Sequence, residues 1–338
     1  MEWQMIVRNT DENYEKFLQE LVSSQEWQSP FHTKSALNYY KERPLNDGKL
    51  ITDKSYILVW ENEPVAAFYG SLVKDNNQKD LIACEVPCIS IAKSKKISAN
   101  AIKEFLREFD HICEEVNGVI KYRDYLIENS LSDLTRHLLQ KSAFAVPKFN
   151  RIINLKQDVV DIKKDMRKSY KHCVNSGIRE LKPQVLDASN LTWDEMNNFR
   201  ELHIREAGRV TRSENSWKRQ LEMVFAGEAF VVFGHIQDEL VTGGLFIHSS
   251  TNCYYGVSAS KRDLFKKPLF HALLWTAILH AKKNGCHWFE VGEQLFPNHP
   301  LDPQPSKKEL GISEFKAGFG GIARLNLDIE LTIRRGDE

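Results

Sequence analysis

Long apolar runs are missing from this 338-residue chain. None approaches the roughly 20 residues that a helix needs to cross a bilayer, so no stable membrane insertion is expected. Net charge is missing as well. Lysine plus arginine and aspartate plus glutamate each number 46, so nothing draws the whole molecule toward nucleic acid or anionic lipid. Any polyanion site must be local. Cysteine is sparse: Cys84, Cys88, Cys113, Cys173, Cys253 and Cys286 are scattered, mostly in apolar segments. They read as reduced, buried thiols of a cytoplasmic protein. Cys84 and Cys88 are spaced like half a zinc site, but no second Cys/His pair matches them, so no metal is expected. Met1-Glu2-Trp3-Gln4 lacks a basic stretch running into an apolar one, so no secretory signal is expected either. No Gly-x-Ser-x-Gly elbow occurs, which removes the strained serine nucleophile of hydrolases.

What is present describes a folded protein of about two domains: 42% hydrophobic residues, 27% charged, and too long a chain for one ordinary core. Two stretches look alike. Tyr56-Ile57-Leu58-Val59-Trp60 leads through the polar turn Glu61-Asn62-Glu63-Pro64 to Val65-Ala66-Ala67-Phe68. Phe230-Val231-Val232-Phe233 leads through Gln237-Asp238-Glu239 to Val241 and Leu245-Phe246-Ile247. Each pattern predicts a β-hairpin. A strand is expected after each, over 85–91 and 253–258, then a helix over 98–116 and 268–283. Both helices meet Asn-Gly (Asn117-Gly118 and Asn284-Gly285), a stop signal because both residues tolerate the left-handed conformation. A further strand follows over 119–125 and 286–291, so the same α/β unit occurs twice.

The stretch with the most chemistry is Glu314-Phe315-Lys316-Ala317-Gly318-Phe319-Gly320-Gly321. A lysine among apolar neighbours is poorly hydrated and stabilises nearby negative charge strongly. The glycines allow a sharp turn or a close backbone approach. Phe315 and Phe319 also fall at helical spacing and fit a core equally well. Upstream, Lys163, Lys164, Arg167, Lys168, Lys171, His172 and Arg179 recur at helical spacing over 159–179, with Ile162, Met166 and Tyr170 between them. A solvated surface helix and a basic ridge facing phosphate both fit. Phe296 to Pro305, with four prolines, is a loop beside the lysine motif. Glu206, Glu290, Glu293 and Glu314 are candidate bases for an incoming amine. Nothing in their spacing selects His203 or His299, while His271 and His280 read as packing or surface residues of one helix.

Taken in order, Tyr254-Tyr255-Gly256-Val257-Ser258, Pro268 to Trp275, Phe289-Glu290-Val291-Gly292 and Phe315-Lys316 with Phe319-Gly320-Gly321 resemble the FemABX-like peptidoglycan-bridge aminoacyltransferases. Met166-Arg167-Lys168-Ser169-Tyr170 is similar to that family's basic helix, and Pro30-Phe31-His32-Thr33 to its entry segment. The resemblance implies an α/β protein of two tandem domains of the GCN5-related N-acetyltransferase (GNAT) type, each a mixed, mostly antiparallel sheet flanked by helices. The division expected is 1–155 and 156–338, the second domain beginning with the basic connecting helix. It also implies transfer of an acyl or aminoacyl group from tRNA or another activated donor to an amine, with no tightly bound cofactor. The acceptor would be a muropeptide, glycan or small metabolite.

By resemblance, Phe315 and Lys316 lie near the transferred ester, Tyr255 donates a hydrogen bond from its phenol, and Arg212 contacts phosphate. Glu290 holds the place of an aspartate in the family strand. Thr33, Lys34, Arg167, Lys168, Lys266 and Lys267 are the remaining expected substrate contacts. Two departures stand out: Asn215-Ser216-Trp217 replaces an aromatic residue after Arg212, and no long coiled-coil insertion is present. The loop Ser260 to Pro268 has no glycine, unlike the phosphate cradle of acetyl-CoA-binding relatives. Its lysines still allow an alternative, an acyl-CoA-dependent N-acyltransferase of an amino or nucleotide sugar. A non-catalytic RNA- or partner-binding module, acting through the basic ridge, is the other.

Overall fold

The computed structural model describes residues 3–8, 11–23, 25–42, 50–74, 80–83, 99–126, 130–297 and 304–333, the side chains of 41, 42 and 80–83 excepted. In chain order these form β1 (Trp3–Val7), α1 (Tyr14–Ser23), α2 (Lys34–Glu42), β2 (Leu50–Asp53), β3 (Tyr56–Trp60), β4 (Glu63–Phe68), β5 (Ser71–Lys74) and β6 (Asp80–Ala83). Next come α3 (Ala99–Cys113), β7 (Val119–Asp124), α4 (Asp133–Gln140), β8 (Phe144–Asn154), α5 (Val159–Asp165), α6 (Lys168–Leu181) and β9 (Gln184–Leu186). Then follow α7 (Trp193–Ala207), α8 (Glu214–Phe225), β10 (Ala229–Ile236), β11 (Glu239–His248) and β12 (Asn252–Ser260). The chain closes with α9 (Leu269–Lys283), β13 (Trp288–Glu293), α10 (Lys307–Ala317) and β14 (Ile322–Thr332). No helix among the described residues is long and apolar enough to cross a membrane.

Two compact units emerge, one of residues 1–28, 40–148 and 325–338, the other of 29–39 and 149–324. A single cut at 155/156 does not describe them, because each unit takes in a segment from elsewhere in the chain. The closing strand is the clearest case: β14 pairs antiparallel with β7, Leu327 opposite Asp124 through Thr332 opposite Val119, which ties the C-terminal residues to the first unit.

Both predicted hairpins form. Glu61 and Asn62 take φ of 48° and 65°, and Gln237 and Asp238 take 50° and 63°, the doubly left-handed turn that suits strand twist. The repeat extends to the crossover. In the first unit β6 pairs parallel with β7 across α3, and in the second β12 pairs parallel with β13 across α9. The hairpins differ in setting: β3–β4 joins β1 in a separate three-stranded sheet, whereas β11 pairs directly with β12. The expected strand over 85–91, with Cys84 and Cys88, lies outside the described residues. The two Asn-Gly stops also act differently. Gly285 takes φ of 88° directly after the α9 cap, while α3 ends at Cys113, short of Asn117-Gly118.

The first unit's core packs Phe105 and Phe109 of α3 against Tyr56, Phe68, Ile120 and Tyr122, and the Tyr56 hydroxyl donates to the Phe105 carbonyl at 2.9 Å. In the second unit α9 is apolar nearly all round and accordingly buried, with Leu269, Leu273, Leu274, Trp275 and Ile278 all inside. It lies against Phe230, Val232, Phe246, Phe289 and Val291 of the sheet and against Val174 and Leu181 of α6. Gly177 permits that close approach: a Cβ there would meet the Ala272 Cβ at 2.8 Å and the Pro268 carbonyl oxygen at 3.2 Å.

The basic segment is two helices, not one. Met166, at φ −68° and ψ 147°, leaves the helical conformation, and the Arg167 N–H donates to the Gly318 carbonyl at 2.8 Å. That long-range bond replaces a helical one, so α5 stops and α6 restarts beside the lysine motif.

Gly177→Val should lower stability by about 1–3 kcal/mol through overpacking at the α6–α9 contact. Gly311, inside α10 with no atom within 4 Å of a built Cβ, should instead gain about 0.4–1 kcal/mol on change to Ala. Denaturant midpoints of the two variants check both signs.

Candidate functional site

The site begins with two strands that part. β12 and β13 pair only at Asn252–Trp288, Cys253–Phe289 and Tyr254–Glu290, although each runs further. Beyond those pairs each strand carries an irregularity. On β12 the register against β11 jumps at Gly256, and on β13 the register against β8 jumps at Val291. Bulges bend and twist a strand, and here they open the sheet.

A groove of about 610 Å³ lies along the parted end of β12, within the range of about 300–1,000 Å³ usual for small-molecule sites. Tyr255, Ser258, Ala259 and Ser260 of β12 line one wall, and Leu269, Phe270 and His271 at the start of α9 line another. Phe315, Ile312 and Lys308 come from α10, His203 and Glu206 from α7, and Arg262, Phe265 and Lys267 from the connecting loop.

Of the residues expected from sequence, the groove brings together Phe315, Tyr255 and Lys267. Tyr255 stacks on Phe270 with ring centroids 5.2 Å apart, and its hydroxyl shares a short hydrogen bond with Ser258 Oγ. Burial pushes the phenol up to about 12, although the Ser258 bond pulls the other way, so it remains a donor at neutral pH. Phe315 packs on His271 at 5.1 Å and on Phe319 at 5.4 Å. Lys267 is ion-paired with Glu180.

Lys316 does not line the groove. It follows Phe315 on α10 and lays its Nζ against β13, 2.6 Å from where a Gly292 Cβ would sit. Gly292, at φ 112°, therefore provides both the turn and the space. Burial pulls the lysine below its ordinary pKa, while Glu293 and Glu290 push it back up. Glu290 is 4% exposed and accepts a short hydrogen bond from Asn150 Nδ2, which makes it a structural partner of the strand as well as a charge facing Lys316. The glycine cluster is a close approach. Gly320 and Gly321 take φ of 84° and 72°, and a Cβ on Gly321 would stand 2.3 Å from the Ile152 carbonyl oxygen. A Cβ on Gly318 would strike the Tyr170 ring at 2.3 Å. Ser313, one turn before Lys316, accepts from Gln294 Nε2 at 2.6 Å and from the Leu295 N–H at 2.8 Å, fixing α10 to the end of β13.

Arg212 approaches the groove through His203: its Nη1 lies 3.5 Å from His203 Nε2, and its Nε donates to the Tyr39 hydroxyl at 3.2 Å. Thr33 closes the turn at Pro30–His32 and donates to the Pro30 carbonyl at 3.4 Å, and Lys34 is exposed at the start of α2. Phe31 of that segment meets Tyr254 edge-on at 4.8 Å. Arg167 lies over the Tyr170 ring at 5.3 Å and pairs with Glu314 at 3.4 Å, while Lys168 and Lys266 point to solvent. His299 lies outside the described residues.

Sequence reasoning left His203 unselected, read His271 as packing or surface, offered Glu206 as one of four candidate bases and passed over Lys308. The only sequence cue was the three-residue spacing of His203 and Glu206 on one helix face. His271 reads as packing, and it does pack, 4.5 Å from Tyr170, yet it also lines the groove. Burial lowers it to about 4; burial and Arg212 together lower His203 to about 4. Both present neutral imidazoles at neutral pH.

The loop between β12 and α9 has already used most of its backbone donors. Lys261 N–H donates to Val241, Leu264 to Lys261, Phe265 to Arg262, Lys267 to Leu264 and Leu269 to Lys267, at 2.8–3.2 Å. Arg262 N–H donates to Glu206 Oε2 at 3.0 Å. A diphosphate cradle needs such N–H groups turned outward.

No protein-family profile matches the chain, and no curated protein matches it significantly. Solved structures do. It is similar to FemX at 12% identity and a TM-score of 0.65, over 97% of each chain. It is similar to a tandem GNAT protein from the clavulanic acid biosynthesis pathway at 11% identity and 0.55, over 99% of this chain and 100% of that one. L-PGS from Bacillus licheniformis matches at 12% and 0.52, over 80% and 85%. The chain therefore has the FemABX-like tandem GNAT fold.

Two neutral, partly buried imidazoles give the unit an acid-sensitive stability. Both native values lie below 6.5, so between that pH and about 4 the unfolded chain takes up protons that the native chain refuses. Stability is full above that window and falls as pH drops through it. Melting temperature should fall less between about pH 7 and about pH 4.5 in His203→Gln/His271→Gln than in wild type. Parallel curves would refute the assignment.

Proposed function

We propose that the protein is an acyltransferase that forms an amide, moving an acyl or aminoacyl group from an activated donor to an amine. The observation that carries this reading is the groove at the parted end of β12, with the phenol of Tyr255 and the ring of Phe315 on its walls. Such an opening admits an ester or thioester carbonyl beside a protonated hydroxyl. The shared fold with FemX and the tandem GNAT protein supports the reaction class.

In this reading the amine attacks the donor carbonyl, the tetrahedral oxyanion forms, and the donor alcohol or thiol leaves with a proton. Tyr255, kept protonated, donates to the carbonyl oxygen. Lys316 stands against β13 and not on the groove wall, so in this reading it acts on the developing charge through its field, as a partly dehydrated cation, and not by contact. Arg212, held by Tyr39 and His203 and not by a carboxylate, offers its planar fork to substrate phosphate.

The loop's spent N–H groups favour a donor gripped by side chains over one whose diphosphate sits in a backbone cradle. An aminoacyl ester of tRNA is such a donor, and the lysines and arginines of α5 and α6 suit its backbone. The acceptor is an amine of a cell-wall, glycan or small-metabolite compound.

Thermal shift with charged tRNA, uncharged tRNA and acetyl-CoA tests the donor, since only a ligand of the native state raises its melting temperature. Charged tRNA should stabilise most; stabilisation by acetyl-CoA alone overturns the tRNA reading. With the accepted donor, Lys316→Ala should lose roughly tenfold in turnover while staying folded, the effect of a charge that acts from β13 and not from the groove wall. A folded, fully active variant removes Lys316 from the mechanism.

A further inference from the structure

Two large apolar side chains stand in water at the mouth of the groove: Phe265 is 64% exposed and Ile312 47%. Inside, the walls are Leu269, Phe270, Tyr255 and Phe315. The polar groups among them are mostly taken. Tyr255 and Ser258 bond to each other, and Ser260 bonds Thr242 at 2.7 Å. Glu206 accepts the Arg262 N–H, His203 is occupied by Arg212 and Thr211, and Lys267 is paired with Glu180. His271 is uncharged and sits between the rings of Tyr170 and Phe315.

The side chains of Arg262 and Lys308 are different. Both are exposed at the groove, and neither enters an ion pair among the described residues. The groove thus offers a ligand an apolar surface with few polar groups left to bond inside, one hydroxyl proton of the Tyr255–Ser258 pair among them, plus two positive charges at its edge that enter no ion pair among the described residues. Exposed apolar side chains scattered singly are ordinary, but Phe265 and Ile312 continue the apolar lining of one groove, and an apolar patch of that kind marks surface that a ligand covers.

We infer that one substrate of this site is an amphiphilic anion, its aliphatic chain lying along the groove past Ile312 and Phe265 and its phosphate or carboxylate meeting Arg262 and Lys308. The inference rests on the reading of this groove as a substrate site and names the chemical class of what fills it. A short acyl group such as acetyl would leave Phe265 and Ile312 uncovered. A polar, uncharged ligand would find few partners on the walls.

Single-chain alkyl phosphates, each held below its micelle concentration, test this by calorimetry on the whole protein. Affinity should tighten from butyl through octyl to dodecyl phosphate, by up to roughly fourfold per added methylene while the chain still meets groove wall. Ile312→Gln and Phe265→Gln, which add no charge, should each weaken dodecyl phosphate by about tenfold or more and leave butyl phosphate nearly unchanged. Arg262→Ser/Lys308→Ser should remove the preference for dodecyl phosphate over dodecanol. Circular dichroism of each variant confirms folding, and all four positions are exposed, so folding is expected to survive.

Affinity independent of chain length, or equal in wild type and the two glutamine variants, overturns the inference. So does binding to anionic vesicles without binding to monomeric alkyl phosphate, because the feature would then be a membrane-facing surface. Chain-dependent binding without acyl transfer from any donor leaves the inference standing and removes the acyltransferase reading, so the two fail separately.

Discussion

The early end of pairing between β12 and β13 is the constraint on which the second unit turns. A sheet that stayed zipped would bury its backbone groups in ladder bonds and leave no opening. Three residue pairs hold the strands together, and bulges at Gly256 and Val291 then carry them apart. The cost is a set of strand edges that other elements must cover. At the open end α9 and α10 supply that cover, and the side chains that do it are the ones lining the groove.

Close backbone approaches hold those elements in place. Gly177 lets α6 press on α9, Gly318 admits the Tyr170 ring, Gly321 sits on the Ile152 carbonyl, and Gly292 leaves room for Lys316. At the first three a methyl group would collide with something that cannot easily move, and at Gly292 the φ of 112° is itself the constraint. Ser313 and Gln294 add a polar clamp at the other end of the helix. Phe315 and Lys316 are consequently sent to different places by adjacent positions on one rigid helix: the ring to the groove, the ammonium to the strand.

The electrostatics follow from the same packing. His203 and His271 are neutral because burial disfavours their charged forms, and a neutral His203 can accept from Arg212 without repelling it. Tyr255 keeps its proton for the same reason. Apart from Glu206, whose carboxylate accepts the Arg262 N–H, the site combines an apolar interior with cations at its edges, which suits a ligand that is itself divided between an apolar part and an anionic one.

Local pattern alone determined much of this protein. Alternation and polar turns specified both hairpins, and the all-round apolar run from Leu269 to Ile278 specified a buried helix, because these signals depend on neighbours within a few residues. Resemblance at separated motifs added the tandem arrangement. Tertiary structure decided the rest. The break between α5 and α6 exists because the Arg167 N–H finds the Gly318 carbonyl, a partner about 150 residues away that no periodicity reveals. The C-terminal strand joins the first unit because its hydrogen-bond partner is β7. Glu206, His203, Arg262 and Lys308 meet at one groove because α7, α10 and a loop converge there, and convergence is set by packing between distant segments, about which the order of residues along a chain is silent.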